Sequence, residues 1–138
     1  MEVTKQLAQK CHELTYGDLP DAVVDRAKYL FLDFLGVAAR GALTESSQPV
    51  HALCRKMGIL KDGAVVVGTD LTLDPSYAAL ANGTAADSIE LDDVVNAASL
   101  HPAVAVMPAA LAAAHYVETR KASLECELPE NLRDGWAH

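Results

Sequence analysis

Apolar positions recur at helical spacing along most of the chain. Val3, Leu7, Ala8, Cys11 and Leu14 share one side of a helix predicted over residues 3–15, with the other side wet. Tyr16 and Gly17 are expected to end it, Gly17 as a left-handed cap. A second helix is predicted over residues 20–40, with Pro20 in a first turn where its missing N–H costs nothing. Val23, Ala27, Leu30, Phe34 and Val37 form one stripe along it, while Tyr29, Leu32 and Gly36 lie opposite. A helix apolar on both sides is expected to be covered on both sides. Gly36 then admits a close neighbour, and Asp33 reads as a carboxylate that caps or pairs with an adjacent helix rather than a catalytic group.

After a turn at residues 41–48, Pro49 opens a third helix. It turns Val50, Leu53, Cys54 and Met57 inward and stops at Gly58, leaving His51 on the surface or partly buried. Residues 64–67, an Ala-Val-Val-Val run bounded by Gly63 and Gly68, are the one strand-like stretch. A lone strand cannot make a sheet, so the run is either an extended connection or half of a hairpin with residues 71–73. Asp74 and Pro75 then supply an N-cap and a first-turn proline for a fourth helix. Residues 94–100 read as a loop. His101 and Pro102 follow, and an Ala/Val/Leu helix in which Pro108 makes a kink or a fresh start. The pattern predicts an all-α fold, an orthogonal helical domain with at most one short strand or hairpin. It covers residues 1–118, and residues 119–138 form a divergent charged tail.

Composition narrows the function more than the fold. Apolar residues are 51% of the 138 and aromatics only 5%, so the core must be built from aliphatic side chains and alanine at close helix spacing. The net charge of −8 argues against nucleic acid or an anionic membrane surface as the main partner, although a local patch can still hold an anionic small molecule. Three cysteines without zinc spacing read as free thiols in a reducing cytoplasm. Residues 98–117 carry no Asp, Glu, Lys or Arg, but their prolines, histidines and alanines suit a buried helix rather than a membrane span. No phosphate loop or dinucleotide fingerprint is present.

Candidate chemistry is concentrated in residues 77–115, where Asn82, Gly83, Asp87, Glu90, Asp92 and Asp93 precede the His101-Pro102 pair. If the fourth helix persists to Asp93, then Asn82, Ala86, Glu90 and Asp93 fall within an arc of roughly 80°. Asp87 and Asp92 then point elsewhere, as surface charges. Glu90 and Asp93, with His101 returning across the loop, can form an acid–base set: the imidazole moves a proton and a carboxylate orients it. Asn82 and Asp92 are the candidate substrate-binding positions. The acids offer only oxygen ligands, and neighbouring helical residues diverge, so no metal site is expected. The plain alternative is a solvated acidic surface with His-Pro as a cap.

The run ALANGTAADSIELDD…SLHPAVAVMPAALAAA, together with the earlier DLPDAVVDRAKYLFLDFLGVAARG, resembles the MmgE/PrpD family over about residues 3–118. That family includes 2-methylcitrate dehydratase, cis-aconitate decarboxylase and iminodisuccinate epimerase. The resemblance implies an all-helical first domain, a site completed by a second α+β domain, and lyase or epimerase chemistry on small di- or tricarboxylates without a cofactor. It also implies a likeness to the family's acid, Asp pair and histidine at Glu90, at Asp92 and Asp93, and at His101. Asp87, Val94, Val95 and Ala103 depart from residues frequent in the family. The chain has no Lys or Arg between residues 62 and 119, so it lacks the cations that a polycarboxylate needs. On this reading the chain is an amino-terminal or truncated member with little turnover of its own, and a homo-oligomer. The alternative is a non-catalytic helical dimerisation module.

Overall fold

A computed structural model describes residues 2–127. The fold is mostly helical: α1 (Glu2–Glu13), a 3-10 turn (Tyr16–Asp18), α2 (Asp21–Gly41), α3 (Ser47–Gly58), β1 (Ile59–Val65), β2 (Thr72–Leu73), α4 (Pro75–Asp87) and α5 (Pro102–Glu127). Residues 128–138 of the expected tail lie outside the described residues. No helix among the described residues is long and apolar enough to cross a membrane.

The fold divides at Leu30, partway along α2. In the first unit, α1 forms where its stripe predicts, but none of its residues is buried. Its end differs from expectation. The helix stops at Glu13, and Gly17 sits inside the 3-10 turn instead of adopting a left-handed cap. That turn is held by the Asp18 carboxylate, which accepts from the Thr15 hydroxyl at 2.7 Å and the Thr15 N–H at 2.9 Å. These bonds favour the charged form and lower the Asp18 pKa.

The second unit holds the core, with α4 at its centre against α3, α5 and the hairpin. Alanines make this possible: Ala78, Ala81, Ala85 and Ala86 of α4 are all fully buried, so neighbouring backbones come close. One cluster joins Cys54, Ala64, Val66, Leu73, Ala78 and Ala81; a second joins Phe34 and Ala38 of α2 to Ala86. Burial pushes the Cys54 thiol up in pKa. Two sequence expectations are corrected here. Leu32, 67% exposed, shows that α2 from Phe31 on buries one side only, and among the described residues nothing lies within 4 Å of the place where a Gly36 side chain would lie. His51 is buried against α4, its Nε2 at 3.4 Å from the Ala81 carbonyl oxygen.

The strand-like run does form a hairpin, antiparallel, with Ala64 opposite Leu73 and Val65 opposite Thr72. Its turn needs Gly68 at φ +76°, and a Cβ there would lie 2.9 Å from Ala39 backbone atoms. α4 starts as its sequence dictates. Asp74 Oδ1 accepts from the Ser76 N–H at 3.0 Å, with Pro75 in the first turn. α5 runs unbroken through Pro108, whose ring leaves the Val104 carbonyl without its helical donor. Gly83 of α4 packs there: a Cβ on it would meet that carbonyl oxygen at 3.1 Å.

Candidate functional site

The acidic block does not lie on a helix. α4 ends at Asp87, where Ser88 turns its hydroxyl back onto the Ala85 carbonyl at 2.8 Å. Glu90 then takes φ +52° and reverses the chain, with its side chain exposed. The arc that was to align Asn82, Ala86, Glu90 and Asp93 therefore does not exist. The physical reason is electrostatic as well as local. A continued helix would bring Asp87, Glu90, Asp92 and Asp93 to its C-terminal end, where the backbone dipole opposes negative charge.

What the loop does instead is close on itself. Val95 and Leu100 exchange backbone hydrogen bonds at 2.8 and 3.4 Å, forming an isolated antiparallel bridge. The bridge brings His101 back beside the acids. His101 Nδ1 lies 2.9 Å from Asp92 Oδ2. The Asp92 side chain is 3% exposed and that of His101 37%, so the carboxylate is buried behind a ring whose edge meets solvent. Asp92, expected as a surface charge or substrate ligand, is thus the direct partner of His101.

Asp93 has a different task. Its Oδ1 accepts from the Ala103 N–H at 2.9 Å. This satisfies a first-turn donor of α5 from outside the helix and places a negative charge at the favourable dipole end. It fixes the start of the helix that His101 immediately precedes, and among the described residues it makes no hydrogen bond to the ring. Glu90 makes no side-chain hydrogen bond to His101 among the described residues.

Asn82 is placed away from this pair in function. It is 1% exposed. Its Oδ1 accepts from the Val67 N–H at 2.8 Å and its Nδ2 donates to the Val65 carbonyl at 2.9 Å. Both ends of the amide are spent on backbone at the end of β1 and just after it, tying the hairpin to α4. Loss of this side chain would leave a part-buried donor and a part-buried acceptor of the hairpin unpaired, at about 1 kcal/mol each.

A groove of about 590 Å³ runs between α4 and α5, lined by Leu80, Gly83, Thr84, Asp87, Val104 and Pro108 among others. Neither Asp92 nor His101 lines it. Among the described residues no three His, Cys, Asp or Glu side chains are arranged to hold a metal ion.

The site thus amounts to one buried carboxylate, one half-exposed imidazole and a second carboxylate holding the helix start. Such a pair can move a proton at the free ring nitrogen. No lysine or arginine occurs between residues 62 and 119 to hold an anion beside it.

Comparison with known proteins bears on this arrangement. The family model described as "MmgE/PrpD N-terminal domain" matches residues 5–127. Cis-aconitate decarboxylase of Homo sapiens is 34% identical over 106 residues, 77% of this chain and 22% of that protein. Cis-aconitate decarboxylase of Aspergillus terreus is 37% identical over 113 residues, 80% of this chain and 22% of that protein. The chain therefore spans about a fifth of the length of these curated relatives.

Proposed function

This chain belongs to the MmgE/PrpD family, and from that premise we propose that it supplies the proton-transfer half of a site for small di- or tricarboxylates. The reaction class is that of a lyase, with decarboxylation of a cis-aconitate-like acid favoured by the relatives it resembles. Dehydration of a 2-methylcitrate-like acid, which removes a proton from carbon and expels hydroxide, or epimerisation, which removes a proton from carbon and returns one, would also use a proton carrier at this position. In the decarboxylation, the bond between carbon and carboxylate breaks, CO₂ leaves and the electron pair stays on carbon. His101, in the imidazolium form with a proton on Nε2, then gives that proton to the carbon and returns to the neutral ring with Nδ1–H facing Asp92. The observation that carries this reading is the Asp92–His101 pair, a half-exposed proton carrier backed by a buried carboxylate.

The same geometry sets a limit. A substrate with two or three carboxylates meets acids here, and like charges at contact distance repel by about 1 kcal/mol even in bulk water, more where water is excluded. The 138-residue chain by itself is therefore expected to show little or no conversion of cis-aconitate, 2-methylcitrate or citrate when followed by proton NMR. Conversion should appear when residues 5–127 replace the matching segment of the Aspergillus terreus decarboxylase. Robust turnover by the chain alone, lost in His101→Ala, would overturn the half-site reading. So would a folded graft with no activity.

A second reading, a helical module that self-associates, is favoured by the loop around the site. Leu91, Val94 and Leu100 of this one loop are all more than half exposed, and exposed apolar side chains that join into a contiguous patch mark a contact surface. Light scattering should then show a dimer that dissociates on dilution. A monomer at every concentration would remove this reading.

A further inference from the structure

Asp92 is an expensive residue for a fold to keep. Its carboxylate is almost wholly buried, and of its two oxygens only Oδ2 has a partner among the described residues, the His101 ring. Oδ1 is fully buried and accepts no hydrogen bond from the described residues. A buried carboxylate oxygen left unpaired costs free energy that a structural acid normally recovers through further donors. The neighbouring acid shows the contrast: Asp93 is spent on a backbone N–H where a helix start needs it. Asp92 supports no cap and no second element.

Its one contact has a definite chemical consequence. An ionised carboxylate only accepts hydrogen bonds. At 2.9 Å from Asp92 Oδ2, Nδ1 of His101 must therefore be the protonated nitrogen of the neutral ring. Nε2 is left with its lone pair, on the ring whose edge meets solvent. We infer that Asp92 is a positioning residue, one that fixes the tautomer and orientation of His101 so that Nε2 alone exchanges protons with a substrate, and that it does so at the expense of fold stability. This role rests on the proton-transfer reading of His101. It adds which nitrogen acts and which residue chooses it. When Nε2 takes a proton, the ring becomes an imidazolium carrying N–H on both sides, and Asp92 is placed to hold that charge.

Long-range ¹H–¹⁵N spectra of the chain, recorded above the ordinary imidazole range, test this without any substrate. The His101 signals are identified as those lost in His101→Gln. In the unsubstituted chain, Nδ1 should give a protonated, pyrrole-type signal and Nε2 a pyridine-type one. In Asp92→Asn the neutral amide can either accept from or donate to Nδ1, so the Nε2–H tautomer, preferred by a free imidazole, should grow in. The spectrum decides the positioning role: an Nε2–H ring in the unsubstituted chain, or an unchanged ring in Asp92→Asn, overturns it. Thermal unfolding decides the cost. Tm of Asp92→Asn should stay level or rise. A fall of many degrees, or failure to fold, shows that Asp92 stabilises the fold and overturns that half, while the unsubstituted chain's spectrum still decides the other. Because the ring is read at rest, these outcomes are independent of whether the grafted domain turns over a polycarboxylate.

Discussion

Gly41→Ala is expected to destabilise the second unit by roughly 3 kcal/mol or more, at the upper end of what overpacking a core costs. A Cβ at Gly41 would lie 1.8 Å from the Ala85 carbonyl oxygen, 2.5 Å from Ser88 Oγ and 2.8 Å from the Ala85 carbonyl carbon. Two of these atoms are backbone, so no side-chain rotation relieves the clash; the end of α2 must part from the end of α4. The same junction is hydrogen-bonded, Ser88 Oγ reaching both the Ala85 carbonyl and, at 3.3 Å, the Gly41 carbonyl. Separation therefore also disturbs the stop of α4, from which the loop to Asp92 departs. Gly36→Ala in the same helix is the control. Nothing lies within 4 Å of its Cβ position, and alanine should gain up to about 1 kcal/mol from helix propensity alone. Urea unfolding of the two variants should move the midpoint in opposite directions. A Gly41→Ala midpoint within experimental error of the unsubstituted chain would show that α2 and α4 do not meet as closely as this.

These two glycines also show what the sequence could and could not reveal. Glycine in a helix signals either close approach or nothing, and the distinction depends on a partner that is distant in sequence. Gly36 looked like the contact, and Gly41, at the turn, is the contact. Local signals were more dependable. Asp74-Pro75 marks the start of α4 because capping involves only adjacent residues, and Gly68 marks the hairpin turn because a turn is equally local, whereas Gly63 lies inside β1 and not at its edge. Periodicity alone overruns the end of α4, since small and polar residues continue the pattern past Asp87. Charge was the better guide, because four acids within seven residues are poorly placed at a helix C-terminus. The family was legible from the order of its motifs. The pairing of His101 with Asp92 was not, because it depends on a loop closed by the Val95–Leu100 bridge, and spacing carries no record of such closure.

His101→Gln should lower kcat of the grafted decarboxylase by about 10²–10⁴-fold, the range for loss of a positioned proton carrier. The choice of substitution matters. His101→Ala would remove the one partner that a 3% exposed carboxylate has among the described residues, so lost activity could reflect a disordered loop. Glutamine keeps an N–H able to reach Asp92 and a similar volume, but it cannot take up or release a proton in the working pH range. If His101 acts only by holding substrate, its loss should raise KM and leave kcat largely intact; if it carries the proton, kcat falls while KM changes little. Asp92→Asn should fall between these extremes. A wrongly presented ring still contains the proton carrier, so kcat should drop by less than in His101→Gln, again with KM little changed. Equal losses in the two single variants, with no further loss in the double variant, would show that the pair works as one unit. Unchanged kcat in His101→Gln would remove the histidine from the chemistry and, with it, the reason to bury Asp92 behind it.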